Sequence, residues 1–538
     1  MLTGAAKNTI TTIANYWQDN SEWVAQNIPL TKKQCTSLSI AATITYITWK
    51  LYKSKTTDRY GSNASNLPPM VKGAMPIYGH LLELQKDPAK FVDEAKETYG
   101  PCFRISVPGL GTVAVVSELL ISEVMKSGKN FSFNKGIEKV FPSEKIVELS
   151  YKHKYDAYKI STREKHPVIY PIKHNFKEHQ IDLFTERIVK AFEVGLKKHL
   201  NLKKGEQKEI DVRPIISLIV ADISCACFAG SQATKNDELI RSMAEFTTKL
   251  IKVSALWTLL PTWLGEIVVR RFYSVEREMD QIMNELVPHL RKVQNGEFGN
   301  DYEKTFATMV LEIPREDGSL RSPEDAAYRF NGIALASIHT TSHFTAFALH
   351  ELAPRPELIQ ALRDELAPLG NDRTPETVSK LPLMESFFRE LLRHNADYLG
   401  LHHVALQDTV LSSGHFIPKG TMVVLSVHQM HRNLRFLPVD ETTGEPVAGD
   451  SPLDVFDAYR YYNKNVKSTT VGVEFLPFGM GAHACPGRFF AANEIKYIIA
   501  EIICRFNIKT KTGHRAKDNI FIGMTRFPPS EKLIFEAI

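Results

Sequence analysis

The sequence predicts a mainly α protein with small β-sheets, an α+β class, behind one N-terminal transmembrane helix. Three observations carry that reading. Helix-patterned segments recur at about 176–200, 213–228, 235–252, 274–296, 324–352, 355–368, 383–395 and 486–504. Strand-patterned runs are short and gather at 103–116, 401–426 and near the C-terminus. Near the start, Gln34 to Trp49 carries no charge and is rich in Leu, Ile, Ala and Thr.

Extended to Tyr52, with Lys50 reaching toward the interface, that run approaches the ~20 residues a spanning helix needs. Lys32 and Lys33 precede it, and Lys50, Lys53, Lys55 and Arg59 follow. The heavier basic flank lies downstream, which places the rest of the chain in the cytoplasm. A signal peptide is disfavoured, because a long polar segment comes first and no small-residue cleavage site follows. A buried helix is the other reading of the run. The predicted division is therefore 1–30, of unread role; 31–52, the anchor; 53–67, a polar linker; and 68–538, the catalytic domain. Leu67-Pro68-Pro69 stiffens the entry to that domain. A helix is expected at 91–99. The run 103–116 reads as a hairpin broken by Pro108, Gly109 and Gly111, and its glycines do not form a phosphate loop.

The chain has 538 residues, 43% of them hydrophobic, enough to enclose a large buried cofactor. Net charge is +5 with no long Lys/Arg run, so no nucleic acid partner is expected. Six cysteines at irregular spacing argue for reduced thiols rather than a disulfide framework. Cys225 and Cys227 form a C-x-C inside an apolar helical stretch and read as core residues.

The most informative stretch runs from Phe475 to Ala491. Phe478, Gly481, Cys485 and Gly487 fall in the pattern F-x-x-G-x-x-x-C-x-G. A Gly-rich loop lets backbone N–H groups approach the sulfur, where they stabilise a thiolate and tune its donation to a metal. Pro486 sits where a helix can begin, aiming that helix's N-terminus at the anion. Upstream, Glu390-Leu-Leu-Arg393 puts a carboxylate and a guanidinium on one helix face, and Phe456-Asp-Ala-Tyr-Arg460 follows. Ala336-Ser-Ile-His-Thr-Thr-Ser342 sits inside a long apolar helix.

Together these segments resemble the cytochrome P450 family, over nearly the whole chain from Pro68. The resemblance implies a triangular helical body around haem b, with Cys485 as axial ligand to the iron. It implies that Glu390, Arg393 and Arg460 form a buried charged triad behind the haem, and that Thr340, beside Thr341, serves proton delivery. Ser337 stands where the family usually has Gly, and His339 where it usually has an acid. His339 can still shuttle protons near neutral pH. His343, four residues on, reads as a helix-packing residue. His403 and His483 stand near positions that contact haem propionates, with surface histidines the bland alternative. His402 lies beside them. His166 resembles the start of a propionate-contacting helix, with Tyr170 where a basic residue is usual.

The resemblance further implies a monooxygenase that uses O2 on a lipophilic substrate, terpenoid or steroid-like, in fungal secondary-metabolite biosynthesis. The substrate would be lined by loops at roughly 105–165 and 250–270. The second contains Trp257 and Trp263 and could dip into the bilayer interface. No nicotinamide or flavin motif occurs, so electrons from NADPH would come through flavins of a separate reductase docking near Arg488 and Lys496. The setting would be the endoplasmic reticulum membrane, crossed once. Phe436 to Val455 reads as an inserted surface loop. Two rivals stand beside this reading: a haem-thiolate isomerase or dehydratase needing no reductase, and a membrane-tethered binding protein without haem.

Overall fold

Helices dominate, and the longest organises the rest. Pro323–Leu352 runs for 30 residues. Its start is encoded: the Ser322 hydroxyl accepts the Asp325 N–H, Pro323 occupies the first turn, and Glu324 and Asp325 face the positive end of the helix dipole. Asp325 is buried, and Arg321 and Arg329 hold it at 2.6 and 2.9 Å. Apolar side chains surround this helix on most sides, as a central helix requires.

The computed structural model describes residues 66–75, 78–151, 165–260, 262–299, 303–440 and 442–538. The expected anchor at 31–52, the segment 1–30 and nearly all of the 53–67 linker lie outside the described residues. No described helix is long and apolar enough to cross a membrane. Leu67–Ile538 forms one compact unit.

The other predicted helices are present with shifted ends: Pro88–Tyr99, Asp182–His199, Val212–Phe228, Asp237–Leu259, Glu276–Gln294, Pro356–Leu366, Pro382–His394 and Arg488–Arg505. The segment beginning at 176 opens with a 3-10 turn at Glu178–Gln180 and becomes α-helical at Asp182. The region expected as loop at 105–165 contains three short helices, Leu119–Lys126, Phe133–Val140 and Ser143–Ser150. Each is only 8 residues long, too short for periodicity to announce it. Thr262–Phe272 is helical too. In this region Trp257 is buried and Trp263 is exposed, so one of the two tryptophans belongs to the core.

The largest sheet orders its strands Cys102–Val107, Gly111–Val116, Met422–Leu425, Gly400–Ala405 and Phe131–Ser132. The Gly111–Val116 and Met422–Leu425 pair is parallel, and the others are antiparallel. Gln207–Ile210, Leu533–Ala537 and Phe506–Lys509 form a second sheet, and Asn519–Phe521 with Thr525–Phe527 a hairpin. The expected insertion at 436–455 is a surface loop whose backbone is tethered from within. Arg460 donates to the carbonyls of Ala448, Ser451, Pro452 and Val455.

Candidate haem-thiolate site

The loop before the Arg488–Arg505 helix closes on itself. Gly479 N–H donates to the Leu476 carbonyl at 2.8 Å, and Cys485 N–H to the Phe478 carbonyl at 2.8 Å. Gly479 and Gly481 turn through φ of 68° and 61°, a left-handed conformation that favours glycine. Leu476 N–H reaches buried His431 at 3.0 Å, and Arg488 ties the Cys485 carbonyl (3.1 Å) to that of Thr469 (3.1 Å). Behind the loop, Phe490 lies against Phe176, Phe184 and Phe228, with ring centroids 5.3–5.6 Å away. The sulfur therefore sits on a backbone fixed at both ends.

Burial pushes the Cys485 thiol up, and the Gly487 N–H and the Arg488 charge offset this only in part. Without a metal the thiol stays protonated at neutral pH; a coordinated cation is what deprotonates it outright. Gly487 has an ordinary φ, and a Cβ there would meet only Ile172, at 4.0 Å. The protein's own packing does not demand glycine at 487.

Of the described residues in the Pro323–Leu352 helix, only Gly332, Ala336 and Thr340 are exposed. They are four apart and share one face. A Cβ on Gly332 would lie 3.9 Å from Val168, while Ile172, four residues after Val168, borders Gly487. The short Ile169–Asn175 helix and its N-cap thus touch both the long helix and the cysteine loop. Residues 481–483 of that loop are exposed as well.

A third side comes from the sheet. The Gly400–Ala405 strand shifts register between Gly400 and His403, with Leu401 at φ 48°. His402 and His403 are both buried, so neither is a surface histidine. Burial holds each at about 4, below the usual histidine value. The His403 Nε2 is buried without a partner. Gly136 lets its helix lie on this strand, since a Cβ would come within 2.1 Å of the His402 carbonyl. That approach brings Phe133 to 5.5 Å from the His403 ring and 5.4 Å from the His483 ring. His483 is exposed on the cysteine loop. His166 Nδ1 accepts the N–H groups of Val168 and Ile169, where the chain enters the Ile169–Asn175 helix. A flat prosthetic group fits these residues: a thiol on a fixed loop, an exposed strip on a buried helix, and an unpaired imidazole nitrogen beside an exposed one.

A family model described as cytochrome P450 matches residues 68–535. The chain belongs to the cytochrome P450 family. The family's cofactor is a thiolate-ligated haem, its members typically draw electrons from a separate reductase, and the protein is an oxidoreductase of the monooxygenase class. Cytochrome P450 monooxygenase 151 of Postia placenta is 27% identical over 388 residues, covering 69% of this chain and 75% of the relative. Cytochrome P450 monooxygenase AN1598 of Emericella nidulans is 27% identical over 372 residues, 65% of this chain and 67% of its own. Ent-kaurene oxidase of Gibberella intermedia is 26% identical over 345 residues, 61% and 62% of the two chains. Retinoic acid-bound cyanobacterial CYP120A1 superposes with a TM-score of 0.64 at 18% identity, covering 88% of this chain and 99% of that one. That last likeness is one of fold.

In this P450 the hydroxyls of the long helix point different ways. Thr340, on the exposed strip, donates to the Ala336 carbonyl at 2.6 Å. Ser337 faces the Val212–Phe228 helix, its Oγ 3.0 Å from that of Ser224. Thr341 is buried and donates to Glu494 at 3.4 Å. His339 departs from the expectation of a near-neutral shuttle: burial, aided by the positive field of Arg213, lowers it to about 4. It is a neutral ring at physiological pH, able to pass a proton only by changing tautomer.

Glu494 escaped the sequence reading. Its one signal was an acid amid the apolar residues of the last helix. Burial raises its carboxyl to about 8, and one oxygen has no partner. The neutral acid is the form the fold accepts, so its contribution is full below the unfolded value near 4.3. It is lost as pH rises toward 8. Glu494→Gln is expected to raise the melting temperature at pH 8 and to matter little at pH 5. A gap that is constant across this range counts against a buried neutral acid.

The cations around Glu390 form a closed set. Glu390 accepts from Arg393 at 2.7 and 2.8 Å and from Arg460 at 3.2 Å, all three side chains being buried. Lys496, expected near a docking face, is instead buried and paired with Glu385 at 2.6 Å. Arg488 is committed to backbone carbonyls. Cys225 and Cys227 are fully buried in the main core. Cys225→Ala is expected to cost about 1–2 kcal/mol of stability, the scale of deleting one core atom. The haem spectrum should be unchanged, and any spectral shift would tie this thiol to the site.

Proposed function

We propose that Cys485 is the axial ligand of haem b, and that this P450 inserts an oxygen atom from O2 into a lipophilic substrate. The observation carrying this reading is the exposed Gly332–Ala336–Thr340 strip on a buried helix, bordered through Val168 and Ile172 by the fixed thiol loop. Bound there, haem supplies oxygen activation, and a thiolate donor favours O–O cleavage. The residues supply the rest. Thr340 holds a hydroxyl proton at the open strip. Thr341 turns its own toward Glu494, and His339 offers a neutral imidazole one position before them. His483 would donate to the carboxylate edge of the cofactor, and His403, whose Nδ1–H is taken by the Leu401 carbonyl, would do so through Nε2 only as the imidazolium that a neighbouring carboxylate favours. Glu390, Arg393 and Arg460 hold the backbone behind it.

The substrate class we infer is terpenoid or steroid-like, within fungal secondary metabolism. Ent-kaurene oxidase of Gibberella intermedia is among the relatives that support it. Electrons come from a separate NADPH-dependent flavin reductase. The chain is anchored once in the endoplasmic reticulum membrane through 31–52, with its catalytic domain in the cytoplasm. Exposed Trp263, Ile267 and Phe272 suit contact with the lipid interface.

The test is turnover of candidate terpenoids by the full chain with a microsomal reductase, NADPH and 18O2. Label in the product and strict dependence on the reductase are the expected results. Turnover without reductase or NADPH removes the monooxygenase reading in favour of an isomerase or dehydratase.

A further inference from the structure

One half-buried cation beside the long helix has no ion-pair partner among the described residues. Arg213 is the second residue of the Val212–Phe228 helix, and among the described residues it has neither an ion pair nor a hydrogen bond. The contrast with other arginines is sharp: Arg321 and Arg329 are matched by Asp325, and Arg393 and Arg460 by Glu390. The Arg213 guanidinium lies over the face of Phe527, 5.3 Å from its centroid. Phe527 in turn meets the His343 ring edge-on at 5.5 Å, and His343 lies 6.0 Å from His339.

His343 packs against Phe344, Phe347 and Phe527. Its Nδ1 is buried without a partner. Burial and the field of Arg213 hold both histidines well toward the neutral form. Asp211, exposed two residues before Arg213, is the acid whose field favours the guanidinium charge, against the burial that disfavours it. What faces Phe527 is therefore a guanidinium with five N–H donors and an imidazole with an unused nitrogen. A partly desolvated cation gains from an anion that joins it. Arg suits carboxylates through its planar, forked donors. His343 is three residues after Thr340, so its side chain is a neighbour of the exposed strip on the helix surface.

We propose that Arg213 and His343 receive a carboxylate carried by the lipophilic substrate, remote from the carbon that is oxidised. This rests on the monooxygenase reading above and narrows its substrate class to amphipathic carboxylic acids. Phe527 supplies an apolar wall for the hydrocarbon next to the acid, and its ring keeps the guanidinium from swinging away. The acid group then fixes which carbon comes to lie beside Thr340.

The experiment uses the haem-loaded full chain and matched probes: myristic acid and its methyl ester, lithocholic acid and its methyl ester, and inorganic phosphate. Binding is read from the Soret shift and, independently, from the rise in melting temperature. In at least one pair the acid should bind at least about tenfold tighter than the ester, the worth of one charge-assisted hydrogen bond. Arg213→Gln should abolish that preference, and Arg213→Lys should keep part of it. Without ligand, Arg213→Gln should leave the melting temperature unchanged or raised, because an unmatched charge has gone. Equal binding of acid and ester in both pairs overturns the proposal. So does protection by phosphate equal to that by the acids, which would mark a free-anion site, or a lower ligand-free melting temperature in Arg213→Gln. A normal haem-thiolate spectrum with no acid preference removes this inference alone, whereas its absence in the wild type removes the reading beneath it.

Discussion

Cys485→Ala is expected to fold and yet to lose the strongly red-shifted Soret band of the reduced, carbon monoxide-bound haem-thiolate, and with it all turnover. The fold should survive because nothing that shapes the loop depends on the sulfur. The bond to the Phe478 carbonyl uses the Cys485 N–H, and Arg488 uses its carbonyl. Gly479 and Gly481 keep their left-handed turns, and Phe490 keeps its three aromatic neighbours. Alanine removes the donor alone. Reduced-CO difference spectra with far-UV circular dichroism separate the two effects. Retention of the shifted band by the alanine variant would falsify Cys485 as the ligand. Set beside Cys225→Ala, the pair distinguishes a thiol at an open face from a thiol in the core: one variant loses the spectrum and keeps the fold, the other loses stability and keeps the spectrum.

How much of this was legible beforehand follows from what kind of signal each feature leaves. Long helices leave many periods, so Pro323–Leu352 and Pro382–His394 could be read within a few residues. Eight-residue helices leave about two turns, and three of them vanished into an expected loop. The cysteine loop was legible because its glycines are required by backbone conformation, which sequence records directly. What a side chain faces is not recorded that way. His339 and Thr340 are adjacent in sequence, yet one is governed by burial and the field of Arg213 and the other by the exposed strip. Lys496 looked like a surface cation because lysine usually is one, and only packing reveals Glu385 against it. Arg213 and Phe527 are more than 300 positions apart in sequence. Their meeting depends on the C-terminal hairpin returning to the long helix, which no local pattern encodes.

The second large effect belongs to Glu390. It is the only carboxylate shown within ion-pairing distance of Arg393 and Arg460 among the described residues, and all three side chains are at most 2% exposed. Its removal strands two guanidinium groups away from water, and breaking a buried pair from one side costs about 3–5 kcal/mol. A typical domain has only about 5–15 kcal/mol in total. The loss also spreads along the backbone. Glu390 accepts the Asp457 N–H at 3.1 Å, Arg393 holds the carbonyls of His431 and Leu453, and Arg460 holds four carbonyls of the 448–455 loop. His431 in turn receives Leu476 N–H at the root of the cysteine loop. Glu390→Ala is therefore expected to unfold earlier and to release haem on heating before the wild type does, with Glu390→Gln intermediate because the amide keeps one acceptor. Thermal half-life and haem retention are the measurements suited to a protein of this size, whose unfolding need not be reversible. Replacing Glu390 and Arg393 together by leucine and methionine should lose less than Glu390→Ala, since it strands one cation instead of two. If Glu390→Ala costs less than about 1 kcal/mol, the triad is a solvated surface pair in solution, and the rigidity of the cysteine loop has another source.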